Sequence, residues 1–148
     1  MSVALRGILA AVTTPFTADG SEIDAAALDA HVDRLIQEGA HGLVPGGSTG
    51  EFTTLTLDER KQLTELVVKA AGGRVPVVAG TGALSTADAV ELAAHAAQAG
   101  AAALMVVPPF YGAVELSTFK ELLREIKRLS LEQAEHILLV VRDIIKKQ

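Results

Sequence analysis

Cysteine and tryptophan are absent, and tyrosine occurs once, at position 111. Without cysteine, neither a disulfide nor a thiolate metal site can form. Aromatic residues make up 3% of the chain, too few for the stacking platforms that single-stranded nucleic acid requires. No apolar run approaches the roughly 20 residues of a membrane span. No basic stretch precedes an apolar run at the N-terminus, so no signal peptide is expected. The net charge of −5 favours solubility and leaves no footprint for nucleic acid or an anionic membrane. His31, His41, His95 and His136 lack metal-ligand spacing, so neither a metal nor another cofactor is expected. A cytoplasmic protein without nucleic-acid or membrane partners is the expectation.

What is present reads as globular. Apolar residues form 49% of 148 positions and charged ones 21%, enough to bury a core. Short apolar runs alternate with longer amphipathic segments, the signature of βα units and a parallel sheet. Residues 7–13 predict a first strand, which Pro15 stops. Asp24 caps a helix over 25–38, and Gly39 ends it. Residues 42–44 start a second strand that runs into Gly46-Gly47-Ser48-Thr49-Gly50-Glu51. Thr56 and Glu59 have capping-box spacing for a helix that Gly72-Gly73 closes. Residues 76–79 predict a third strand ending at Gly80-Thr81-Gly82, and Ser85 or Thr86 caps a third helix running to Gly100. Residues 103–107 predict the fourth strand, terminated by Pro108-Pro109, and a fourth helix begins near Ser117.

The composition breaks near residue 118. Alanine-rich helices and valine-rich strands give way to Leu, Ile, Lys and Glu, with no further glycine or proline. The division expected is 1–118 as a βα unit and 119–148 as a helical tail from a second source. Phe119, Leu122, Leu123, Ile126 and Leu129 form one helical stripe. Ser130 with Gln133 suggests a second helix from Leu131, although one continuous helix also fits. Leu131, Ala134, Ile137, Leu138, Val141, Ile144 and Ile145 would give it a face wide enough to need cover on more than one side.

In parallel α/β folds, ligands bind where loops converge at the carboxyl ends of strands. Those positions hold Thr13, Thr14, Pro15 and Phe16; residues 46–51; Gly80, Thr81 and Gly82; and Pro108, Pro109, Phe110 and Tyr111. Glycine admits a ligand close to the backbone, and hydroxyls with exposed N–H groups make a neutral carboxylate cradle. Such loops also serve simply as tight turns, and spacing alone does not separate the two.

The run Gly42-Leu43-Val44-Pro45-Gly46-Gly47-Ser48-Thr49-Gly50-Glu51, followed by Leu57-Asp58-Glu59-Arg60, resembles the dihydrodipicolinate synthase / N-acetylneuraminate lyase family. Thr13-Thr14-Pro15-Phe16 and Val106-Val107-Pro108-Pro109-Phe110-Tyr111 match the same family, in one register over about residues 5–115. The resemblance implies a (β/α)8 TIM barrel, which needs about 250 residues, so four βα units make a half barrel with an extra C-terminal helix. A flattened, doubly wound four-stranded sheet is the alternative. By resemblance, Gly47, Ser48 and Thr49 would bind the carboxylate of pyruvate or another 2-keto acid. Tyr111 would hold a vestigial proton-relay position, and Glu51 would be structural.

Family chemistry runs through a Schiff base on a sixth-strand lysine, with a fifth-strand tyrosine relaying protons. Lys61, Lys69, Lys120, Lys127, Lys146 and Lys147 all fall in predicted helices, whereas an amine nucleophile needs a desolvated strand-end position. No second tyrosine exists to fill the relay. The expectation is therefore an engineered or chimeric half-barrel scaffold without turnover. The alternative is a lyase fragment active only with a complementary C-terminal half. Open sheet edges and a bare apolar face predict a homodimer or higher homo-oligomer, formed through the edges and the tail helix.

Overall fold

The computed structural model describes residues 5–107, 116–128 and 137–139. Strands and helices alternate along the chain: β1 (Leu9–Ala11), α1 (Ala25–Gln37), β2 (Gly42–Val44), α2 (Leu57–Ala71), β3 (Val78–Gly80), α3 (Thr86–Gln98), β4 (Ala103–Val106), α4 (Leu116–Arg128) and β5 (Ile137–Leu139). The helix starts follow their cap residues. Asp24 accepts from the Ala27 N–H, Ser85 accepts from the Asp88 N–H, and Thr56 with Glu59 completes a reciprocal capping box. Gly72 closes α2 in the left-handed conformation that glycine adopts without a Cβ penalty.

All strand pairs are parallel and follow chain order. β1 pairs with β2, β3 with β4, and β4 with β5. A parallel bridge from Leu43 to Val77 and a hydrogen bond from the Gly80 N–H to the Pro45 oxygen join β2 to β3. Sequential order is that of a barrel wall; a doubly wound sheet reverses its order partway. The α/β fold with parallel strands is thus a partial barrel, and the doubly wound alternative is set aside.

The tail differs from expectation. Residues 119–128 are helical as predicted, but they belong to α4, whose Leu122 and Ile126 are fully buried against Ala79, Leu104, Val106 and α3. Within the segment expected as a second tail helix, residues 137–139 instead form β5, in register with Leu104, Met105 and Val106. Ile137 to Val141 is an unbroken apolar run, which fits a buried parallel strand as well as a helix face. The otherwise unpaired edge of β4 decides between them, because its N–H and C=O groups need partners. The rest of 129–148 lies outside the described residues.

One core runs in two clusters between sheet and helices. Val12, Leu28, Val32, Leu43, Leu63 and Val67 form the first, around β1, β2, α1 and α2. Ala79, Ala93, Ala96, Leu104, Val106, Leu122 and Ile126 form the second, around β3, β4, α3 and α4. Strand alternation places Leu43, Ala79, Leu104 and Val106 toward the helices, and Leu9, Ala11, Val44, Gly80 and Met105 on the opposite face. No helix among the described residues is long and apolar enough to cross a membrane.

Candidate functional site

The carboxyl ends of β1, β2 and β3 bring three predicted loops together. The Thr14 hydroxyl donates to the Gly50 carbonyl at 2.8 Å, tying the loop after β1 to the loop after β2. That second loop turns into a single 3₁₀ turn, Ser48–Gly50, with Gly47 at its N-cap. The Gly50 and Glu51 N–H groups donate to the Gly47 and Ser48 carbonyls. The first N–H groups of such a turn have no carbonyl within it to bond. Ser48 and Thr49 are both exposed, whereas Gly46, Gly47 and Gly50 are buried. The turn therefore presents two hydroxyls and backbone N–H groups to solvent on a buried glycine base.

Glu51 has φ of 55°, the only positive φ among described residues other than glycine. It closes the 3₁₀ turn in left-handed geometry, and its carbonyl accepts from the Thr54 hydroxyl at 2.8 Å. Its part is in shaping the turn, as expected. Gly46 also has a positive φ, 68°, and packs directly on Gly80. A Cβ at Gly80 would collide with the Gly46 carbonyl oxygen, so the loops after β2 and β3 approach to backbone contact.

Thr81 follows β3 and is 1% exposed; its N–H donates to the Met105 carbonyl at 3.0 Å, but its hydroxyl finds no partner. Buried beside it is a residue to which sequence reasoning gave no role. Arg60, 6% exposed, reaches from α2 to donate to the Gly82 oxygen at 2.7 Å and the Gly80 oxygen at 3.0 Å. Its guanidinium carbon lies 5.0 Å from the centre of the Phe52 ring. Burial pushes its pKa below the ordinary arginine value, and the charge of Asp88 partly offsets this. A signal was present in the sequence: Arg60 falls on the helical stripe shared by Leu63, Thr64, Val67 and Ala71, all buried. A cation on that stripe had to be either buried or misplaced.

Tyr111, with Pro108, Pro109 and Phe110, lies outside the described residues. Lys61 and Lys69 sit on α2 and Lys120 and Lys127 on α4, so no described lysine stands at a strand end. β5 carries Ile137, Leu138 and Leu139, and no tyrosine. His31 meets the Thr13 hydroxyl, His41 accepts from the Ile8 N–H, and His95 pairs with Glu65. No group of three or more His, Asp or Glu among the described residues is placed to hold a metal ion.

Parallel strands in chain order, helices between them and loops converging at the strands' carboxyl ends define a partial (β/α)8 barrel. The chain belongs to the dihydrodipicolinate synthetase family, whose model matches residues 4–145 and so takes in the segment beyond the composition break. It is 54% identical over 106 residues to 4-hydroxy-tetrahydrodipicolinate synthase of Rhizobium meliloti, covering 72% of this chain and 36% of that protein. Among solved structures, it resembles a dihydrodipicolinate synthetase from Pseudomonas aeruginosa, with TM-score 0.82 and 31% identity over 92% of this chain and 45% of the other. It also resembles a prophage protein of the dihydrodipicolinic acid synthase family from E. coli in complex with pyruvate, with TM-score 0.74 and 38% identity over 84% of this chain and 40% of the other. The chain thus spans less than half the length of the relatives it matches.

Proposed function

We propose that this chain is the carboxylate-holding part of a pyruvate-type lyase barrel, binding a 2-keto acid at Gly47, Ser48 and Thr49 without turning it over alone. The observation that carries the reading is the exposed Ser48–Gly50 turn at the strands' carboxyl ends. The pyruvate complex of the E. coli relative supports the ligand class. The absence of a strand-end lysine among the described residues supports the lack of turnover, because a Schiff base needs a desolvated amine that reaches the carbonyl. Tyr111 would keep the place of the family's relay without the partners that make it useful.

Borohydride reduction in the presence of pyruvate tests this directly. The purified chain gains no covalent mass. A pyruvyl adduct on any of its lysines would overturn the reading.

The second reading, a fragment that becomes an active lyase with a complementary C-terminal half, is favoured by the 36% coverage of the synthase. It predicts adduct formation only after that half is added. An engineered chimera would place a join near residue 118. The match to the synthase covers only 72% of this chain, which favours such a join, whereas the family match through residue 145 favours one continuous family sequence. The open edges of β1 and β5, each paired on one side among the described residues, support self-association into a dimer or higher oligomer.

A further inference from the structure

We infer that Arg60 is the positioning residue of the proposed carboxylate cradle, a clamp that holds the loops after β2 and β3 in one arrangement. The inference rests on the reading of Ser48 and Thr49 given above, but its geometry stands apart from any ligand. One planar guanidinium spans two loops. Two of its nitrogens hold the Gly80 and Gly82 carbonyls on either side of Thr81, and its face lies over Phe52, just beyond the 3₁₀ turn. The two loops are joined again at the backbone, where the Gly80 N–H donates to Pro45 at 2.9 Å and Gly46 packs on Gly80. A shift of Arg60 would therefore be passed to both sides of the cradle at once.

The energetics argue for placement over bulk stability. Arg60 is buried, its Nε has no partner, and no carboxylate among the described residues forms an ion pair with it. Burying a charge on such terms is costly, and an apolar side chain of similar volume often stabilises a core better. The fork geometry of arginine is what two carbonyls at a fixed separation require, and a lysine ammonium does not reproduce it. The arrangement fits a part that fixes backbone positions at the strand ends.

Native-state amide exchange on the wild type, Arg60→Lys and Arg60→Met decides the question, with pyruvate titration followed at the Ser48 and Thr49 amides. In Arg60→Met, the Gly80, Thr81, Gly50 and Glu51 amides should exchange at least tenfold faster. The Leu28 amide, bonded to Asp24 in α1, should keep its rate, and pyruvate affinity should fall at least fivefold. Arg60→Lys should lie between the two, and it carries the test alone if the methionine variant does not fold. Faster exchange spread equally over α1 would overturn the clamp, as would unchanged rates at the four loop amides. If the wild type shows no pyruvate-dependent shift, the ligand reading fails, and the exchange pattern still decides the role of Arg60.

Discussion

Leu43, Ala79, Leu104 and Val106 face the helices and are closed to solvent, whereas Leu9, Val44 and Met105 on the other face of the same sheet stay partly open and Ala11 is exposed. Val78 and Ala103, at the amino ends of β3 and β4 on that second face, are buried, so the openness lies on β1 and at Val44 and Met105. On the helix-facing side, α1 to α4 cover Val12, Leu43, Ala79, Leu104 and Val106 from within this chain. In a full barrel the opposite side is filled by layers of side chains from all the strands. The five described strands do not supply those layers. Stability and the candidate site therefore come from different places in the chain. The helix layer holds the fold, while the proposed cradle sits at the rim of a face that the described residues only partly cover.

Substitutions that compare the two faces should show the largest effect. Leu43→Ala should cost about 2–5 kcal/mol in denaturant unfolding, as buried large-to-small changes do. Met105→Ala removes a side chain of similar size from the open face and should cost under about 1.5 kcal/mol, because less area is lost from contact. Equal costs would break the comparison. Gly80→Ala should come next, at about 1–3 kcal/mol, since the added methyl meets the backbone of Gly46 and no rotamer relieves it. Its heteronuclear spectrum should change around 46–51 and 80–82, and a shift confined to residue 80 would argue against the close approach of the loops.

The smallest effect concerns the turn after β1, remote from either face. The Thr17 hydroxyl, then the N–H and hydroxyl of Ser21, hold the exposed Asp19 carboxyl at about 2, down from 3.8. Because the folded value lies below the unfolded one, the contribution is present above 3.8 and is lost as pH falls toward about 2. A carboxyl NMR titration should place Asp19 near that lower value, and Asp19→Asn should remove the local acid transition. Titration at the ordinary aspartate value would contradict the turn's hydrogen bonding.

Much of the fold was legible because local signals agreed with it. Asp24, Thr56 with Glu59, and Ser85 marked the helix starts to within a residue, since caps satisfy N–H groups that only helix ends leave free. The three strand-end loops were also placed correctly, because glycine and hydroxyl residues after apolar runs have few other uses. The tail misled for a physical reason. An apolar run such as Ile137 to Val141 carries no period of its own, and its structure is set by the free edge of β4, which is tertiary information. Arg60 escaped for a related reason: its place on the helical stripe marks it as buried, but its partners are two carbonyls 20 and 22 positions along the chain. The open face is the consequence of strand count, and there the sequence offered only the inference that something must cover it.

Cover for the open face is directly measurable as self-association. Light scattering across micromolar dilution should give a mass above the single-chain value of 15.4 kDa, falling toward it at the lowest concentrations as the open face and strand edges lose their cover. A mass equal to one chain at every concentration, with the fold intact by circular dichroism, would contradict the claim that this half-covered sheet needs a second partner.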